Sequence, residues 1–250
     1  ESTGLPDEYR GDLLVTSWGD HIIERFHLLP KGASFQATAQ TVVRGGDDFR
    51  PVGMAVGPDG SIYFTDWVDK SYPVHGKGRV WRIRMKNPPK DDGLRASKVA
   101  GMETNELIKL LGHPKREIRD AATEALAAKG VNDGKLEAVL FGIIKRDGDV
   151  RTKLQALWAV AQTGKGGKSV QEIAIKASEP EVRAEGLRRG QEEITPLGNE
   201  ELFHLDRITR MEAFLRVPPP SAHSPNDQLV VAAAADLDPF VFNAIIHSLG

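Results

Sequence analysis

The hydrophobic period of this 250-residue chain changes once, near Met85, and that change limits the folds open to it. Before this point, short segments rich in β-branched and aromatic residues alternate between apolar and polar positions, as strands do. The segments are Asp12–Trp18, His21–Leu28, Ser34–Val43, Val52–Pro58, Ser61–Trp67 and Gly78–Met85. Strands that follow one another through turns, without helices between them, predict antiparallel β structure in a sandwich, a barrel or a propeller.

The segment GPDGS at residues 57–61 is typical of a turn between two of these strands. Pro58 fixes its own φ, Asp59 can bond the nearby backbone, and Gly60 accepts a positive φ. We therefore predict a hairpin that joins the fourth and fifth strands.

After a segment rich in Pro, Lys, Asp and Gly, the hydrophobic period becomes 3.6, which predicts paired helices. The triplets EIR (117–119), DVR (149–151) and EVR (181–183) recur at steps of 32 residues. Helix pairs at a fixed step, none of which can bury its apolar face alone, predict an α-solenoid. The acid–hydrophobe–arginine step resembles HEAT repeats.

Beyond these repeats the helical pattern becomes less regular. We predict one or two helices over 200–217, a loop over 218–227, and a further helix pair over 228–237 and 238–249. The predicted domains are then strands at 1–86, a linker at 87–102 and helical repeats at 103–250.

Composition excludes several classes of function. The chain has no cysteine, which removes disulfides, thiolate zinc sites and covalent haem attachment. Its net charge of −2 gives no indication of a nucleic-acid partner. No apolar run approaches the roughly 20 residues of a transmembrane helix. Both ends of the sequence look interrupted, so we expect a piece of a longer polypeptide.

Three stretches carry a resemblance to known proteins: residues 9–28, 49–67 and 76–83. They resemble the last blades of six-bladed propellers related to the quinoprotein glucose and aldose dehydrogenases. Residues 50–83, followed by HEAT-like pairs, resemble the membrane-bound dehydrogenase family of exported bacterial proteins. Members of that family often carry a C-terminal cytochrome c module with a CxxCH motif, which this chain lacks, so no haem site is expected here.

The resemblance implies an α+β multidomain protein, with a partial six-bladed-type β-propeller followed by an α-solenoid of HEAT-like repeats. It also implies export to the periplasm or the cell envelope. In a propeller, the loops at residues 17–21, 45–51 and 66–78 would lie together on the functional face. The candidate ligand-face residues are Trp18, Asp20, His21, Asp48, Asp66, Trp67, Asp69, Tyr72, His75 and Lys77.

Arg50 is the candidate cofactor-binding residue. The resemblance implies that it helps to hold the carboxylates of pyrroloquinoline quinone, with calcium as a second cofactor of the parent protein. A guanidinium suits this role because it pairs bidentately with carboxylates. The alternative is a structural salt bridge from Arg50 to Asp47 or Asp48.

The other candidate residues also have structural alternatives. Asp66 would then cap its strand and fix its own loop, Trp18 and Trp67 would pack between blades, and His75 would bond a loop carbonyl.

Two functions remain open at this point. The first is a fragment of a dehydrogenase that oxidises a sugar or related alcohol, inactive alone because the catalytic residues would lie in earlier blades. The second is a non-catalytic scaffold that binds a glycan or a protein. In both cases we expect a small molecule at the propeller face, and a protein partner on the HEAT surface or the missing blades.

Overall fold

A computed structural model of the protein describes residues 2–130, 133–164, 167–189, 206–215 and 238–248. The chain divides into two compact units. We call residues 1–30, 35–95 and 114–116 the β unit, and residues 31–34, 96–113 and 117–250 the helical unit. The division between Arg95 and Ala96 falls inside the segment for which the sequence predicts a linker.

The six strands lie close to the segments predicted from the alternating pattern. They are β1 (Leu13–Ser17), β2 (Ile22–Lys31), β3 (Ser34–Arg44), β4 (Pro51–Val56), β5 (Ile62–Asp66) and β6 (Arg79–Ile83). They form two three-stranded antiparallel sheets, in the orders β1-β2-β3 and β4-β5-β6. The predicted hairpin turn joins β4 to β5, and Gly60 has the positive φ of 77° that such a turn requires.

The predicted propeller is wrong. In each sheet the pairing ends after the third strand, so the described strands neither complete a four-stranded blade nor close into a ring. Alternation identifies strands and hairpins because it is a local property of the chain. The number of strands in a sheet depends on long-range pairing, which the pattern does not encode.

Burial in the β unit follows the alternation of β5. Ile62, Phe64 and Asp66 are buried, whereas the residues between them are exposed. Phe64 packs with Ile23 and Phe49 in the core of this unit. The same alternation that buries Phe64 therefore turns the Asp66 carboxylate into the protein, where it needs hydrogen-bond donors.

The helical unit contains helices of one to four turns. They are α1 (Ala96–Val99), α2 (Thr104–Leu110), α3 (Arg116–Gly130), α4 (Gly134–Lys145), α5 (Val150–Gln162), α6 (Gly167–Ala174), α7 (Pro180–Arg189), α8 (Arg207–Phe214) and α9 (Pro239–Ser248). Helix α4 packs on α5 and α6 on α7, while α4 also contacts α6 and α5 contacts α7. The predicted loop at 218–227 and helix at 228–237 lie outside the described residues.

Two arginines of the repeated triplets make the same local contact. Arg119 Nη1 donates to the carbonyl of His113, and Arg183 Nη1 donates to the carbonyl of Ala177, in each case six residues earlier. Each guanidinium thus holds the turn before its own helix. None of the described helices is long and apolar enough to cross a membrane.

Candidate functional site

Three loops of the β unit meet beside the buried end of β5. They are the β1–β2 turn (18–21), the β3–β4 connection (45–50) and the β5–β6 loop (67–78), which we call the loop cluster. The Gly45 N–H donates to the His21 carbonyl at 2.9 Å, and the Trp67 N–H donates to the Arg50 carbonyl at 2.8 Å. The loop cluster therefore brings together the three segments that the sequence analysis grouped.

Gly45 allows this close approach. A Cβ at position 45 would lie 2.2 Å from the Cβ of Phe49, which is shorter than any ordinary contact. The connection can therefore fold tightly over the Phe49 ring only with glycine at this position.

The Asp66 carboxylate holds the loop cluster in place by accepting hydrogen bonds. Its Oδ1 accepts the backbone N–H groups of Arg50 at 2.7 Å and Val68 at 3.0 Å. Its Oδ2 accepts from Arg79 Nε at 3.0 Å and from the Trp81 indole at 2.9 Å. Burial alone would raise the pKa of the Asp66 carboxyl, but these donors and the Arg79 charge hold that pKa below its ordinary value.

Asp66 therefore has the structural role considered in the sequence analysis. It fixes the end of its strand and the start of the following loop, where Val68 has an unfavourable positive φ of 72°. Because both carboxylate oxygens already accept two hydrogen bonds, this side chain has little capacity left for a ligand.

Arg50 is almost completely buried, with 1% of its surface exposed. Its guanidinium lies over the Trp18 ring, 4.8 Å from the centroid, and Nη1 is 3.4 Å from the Trp18 carbonyl. It forms no ion pair with a described carboxylate, so the alternative of a salt bridge to Asp47 or Asp48 is not what the structure shows. Its Nε and Nη2 have no hydrogen-bond partner among the described residues.

His21 supplies the polar group nearest to the Arg50 guanidinium. Its Nδ1 lies 2.8 Å from the Phe49 carbonyl, which only accepts, so Nδ1 carries the proton. Arg50 Nη1 lies 2.9 Å from Nδ1 and 3.0 Å from Nε2, and of these two nitrogens only the unprotonated Nε2 can accept its N–H. This arrangement requires a neutral imidazole, so His21 orients the guanidinium without neutralising it.

The β5–β6 loop folds on itself. The Trp67 indole donates to the Ser71 carbonyl at 2.7 Å, and Lys77 Nζ pairs with Asp69 at 3.0 Å. The Ser71 N–H and the Lys77 ammonium lower the pKa of Asp69 to about 2. These contacts shape the loop and occupy the side chains that make them.

His75 packs edge-on against Trp67, with the ring centroids 4.9 Å apart. The sequence analysis considered a hydrogen bond from His75 to a loop carbonyl. The structure instead has His75 Nδ1 accepting the Lys77 N–H at 3.0 Å. Its Nε2 therefore carries the proton, and this buried atom has no partner among the described residues.

Asp20, Asp48 and Tyr72 belong to the loop cluster by their position in the chain, but none of their side chains has a hydrogen bond or ion pair with Arg50. Asp20 accepts from the Ser17 hydroxyl at 2.5 Å, the Tyr72 side chain is 90% exposed, and Asp48 points outward. The structure thus brings together Trp18, His21, Arg50, Asp66 and Trp67. The packing of Trp18 and Trp67 between blades does not apply, because no blades are formed.

Sequence reasoning missed Arg79 and Trp81. In the register of β5 and β6, Asp66 lies opposite Arg79 and Phe64 lies opposite Trp81. The alternation in the sequence could have predicted both contacts, because a hairpin that buries Phe64 and Asp66 places their cross-strand neighbours on the same face. The side chain of Arg79 then reaches Asp66, and the ring of Trp81 stacks on Phe64.

No group of three or more His, Asp or Glu side chains in the described residues is arranged to hold a metal ion. Calcium as a cofactor of the parent protein stays a prediction.

Residues 1–73 match the model of a domain of unknown function, DUF7133. The matched span runs from the N-terminal segment into the β5–β6 loop, and so contains Arg50 and Asp66. No curated protein and no solved structure matches the chain.

Proposed function

We propose that the β unit is a ligand-binding module in which Arg50 binds the carboxylate of a small organic acid. The observation that carries this proposal is the pair of open donors on a buried guanidinium. Nε and Nη2 form one edge of the guanidinium, and that edge matches the two oxygens of a carboxylate. Nη1, on the other edge, is already engaged by His21 and the Trp18 carbonyl.

The free energy of the buried charge supports a ligand role. An ionised group that is taken out of water is costly unless it is paired and hydrogen-bonded. The Trp18 ring and the neutral His21 offset part of this cost, but neither carries a negative charge. A bound carboxylate would supply the missing charge and satisfy both open N–H groups.

Trp18 would control access of the ligand to the Nε–Nη2 edge of Arg50. The Arg50 nitrogens are fully covered, whereas the Trp18 side chain that lies over the guanidinium is partly exposed. A ligand would reach Arg50 when the indole moves aside, and the indole would then lie against the bound acid.

Two sources of the carboxylate are consistent with this chemistry. The first is pyrroloquinoline quinone, which the sequence resemblance implies, and the second is a free organic acid. Arg50 would hold one carboxylate of the quinone. Lys77 and Arg79 would not hold the others, because they are already paired with Asp69 and Asp66. When bound in the parent protein, the quinone would supply the two-electron oxidation of an alcohol. This chain would contribute the anchoring of the carboxylate.

Calorimetric titration of the full chain with pyrroloquinoline quinone, and separately with succinate, tests the proposal. We expect at least one acid to bind, with affinity reduced about tenfold or more in Arg50→Met, because a charge-assisted bidentate contact is lost. The exposed Arg84→Met is the matched control and should bind as the wild type does.

Binding of the quinone alone would assign the site to a cofactor, and binding of succinate would assign it to a free acid. If neither acid binds, or if Arg50→Met binds as well as the wild type, the proposal is wrong. A glycan or protein ligand of the module, and a protein partner of the helical unit, stay predictions.

A further inference from the structure

A cavity of about 360 Å³ lies in the β unit, beside the β3–β4 connection and strand β6. We call it the Trp81 cavity. Its size is in the range of ligand sites in proteins. The side chains of Val43, Phe49, Phe64 and Ile83 line its buried part and make the floor apolar.

Trp81 forms an aromatic wall of the cavity. Its ring stacks on Phe64, with the centroids 6.5 Å apart and the planes inclined by 19°. Its indole N–H is held by Asp66, which fixes the orientation of the ring. Although it is anchored in this way, Trp81 stays 43% exposed. A rigid, partly exposed aromatic surface beside an apolar floor suits a flat apolar ring.

The rim of the cavity is lined by charged side chains. Three arginines and one aspartate line it. Arg79 pairs with Asp66 and Asp48, and Arg82 pairs with Asp59. Arg44 is exposed and has no hydrogen bond or ion pair with a described residue, so one guanidinium at the rim lacks a carboxylate.

We propose that the Trp81 cavity binds a small aromatic carboxylate of one or two rings. The rings lie on the Phe49–Phe64 floor against Trp81, and the carboxylate pairs with Arg44 at the rim. A neutral apolar ligand would leave Arg44 without a partner, and a small acid without a ring would leave the floor empty. This site uses a different guanidinium from the carboxylate site at Arg50.

Three ligands separate the contribution of the rings from that of the carboxylate: 2-naphthoate, the neutral 2-naphthamide, and acetate. The chain has four tryptophans, so the ¹H–¹⁵N spectrum of the full chain resolves few indole signals, and Trp81→Phe identifies that of Trp81. We expect 2-naphthoate to shift this signal with a Kd below about 1 mM, and 2-naphthamide to bind at least about fivefold more weakly. Acetate should leave the signal in place.

Variants separate this site from the one at Arg50. Arg44→Gln should weaken 2-naphthoate binding about tenfold, because it removes a charge-assisted contact but keeps an exposed polar side chain. Arg84→Gln and Arg50→Met should each leave the Kd within about twofold of the wild-type value. The inference is overturned if the Trp81 signal does not move, if Arg44→Gln binds normally, or if Arg50→Met abolishes binding.

Discussion

Lys153 and Glu185, two buried charged residues of the helical unit, are paired with opposite charges, whereas Arg50 in the β unit has no ion pair with a described residue. Lys153 is 2% exposed, and its Nζ donates to both carboxylate oxygens of Glu179, at 2.7 and 2.9 Å. Glu185 accepts from Arg188 and from the Trp158 indole. Arg50 is just as deeply buried, but among the described residues its guanidinium contacts only a neutral imidazole, a carbonyl and an aromatic ring.

The difference separates two uses of a buried charge. A buried pair such as Lys153–Glu179 fixes the packing of helices, and breaking it leaves a charge without compensation. A buried cation with a complete open edge stabilises little by itself and is suited to receiving an anion. Substitutions at the two kinds of position should therefore change the free energy of unfolding in different ways.

The largest effect is expected at Asp66, the fully bonded counterpart of Arg50 in the β unit. Asp66→Ala leaves Arg79, the Trp81 indole and two backbone N–H groups without their acceptor. We expect a loss of about 3–5 kcal/mol in the free energy of unfolding, measured by urea denaturation. Asp20→Ala, which removes an exposed loop carboxylate, is the control and should change it by less than about 1 kcal/mol.

Lys153→Met tests the paired charge of the helical unit. It keeps an unbranched side chain that is one atom shorter but leaves Glu179 without its partner, so we expect the free energy of unfolding to fall by about 3 kcal/mol. The double substitution Lys153→Met with Glu179→Gln should recover part of this loss, because it removes the uncompensated charge. Equal stability of the single variant and the wild type would show that the pair does not stabilise the helices.

Arg50→Met is expected to behave differently from Lys153→Met. Since no carboxylate loses a partner, the free energy of unfolding without ligand should change by less than about 1 kcal/mol in either direction. Urea denaturation under the same conditions checks this value. A loss as large as that at Lys153 would mean that Arg50 has a structural role.

The pH dependence of stability gives a smaller effect. The Lys153 ammonium holds the pKa of Glu179 below its ordinary value of 4.5. A lowered pKa in the folded state means that the stabilisation is present above about pH 4.5 and is lost as the pH falls below it. Urea midpoints between pH 6 and pH 3 should therefore fall, and they should fall less steeply in Lys153→Met. Parallel curves for the two proteins would contradict the assignment.

How far the sequence predicts this molecule depends on the range of the interaction concerned. All six strands and the Gly60 turn follow from alternation and turn chemistry, which are local. The prediction of a propeller was wrong because the number of strands in a sheet depends on pairing between distant parts of the chain. Arg79 and Trp81 were missed because their roles depend on the register between β5 and β6.

Prediction of the candidate site from the sequence has the same limit. The resemblance to a propeller placed Arg50 and Asp66 on one face, and the structure brings them together although no propeller forms. It could not show that Asp66 is saturated with donors while one edge of Arg50 is open, because hydrogen-bond satisfaction depends on the packed loops. Which charged group has all its hydrogen bonds made, and which does not, was therefore visible only in three dimensions.

The most direct test of the binding role is the Nε–H signal of Arg50 in the ¹H–¹⁵N spectrum of the full chain. Arg50→Lys identifies the signal by its loss. We expect pyrroloquinoline quinone or succinate to shift it and to slow its exchange with water, because a carboxylate oxygen then accepts this N–H. A signal that stays unchanged at saturating concentrations of both acids would contradict the assignment of Arg50 as a carboxylate-binding residue.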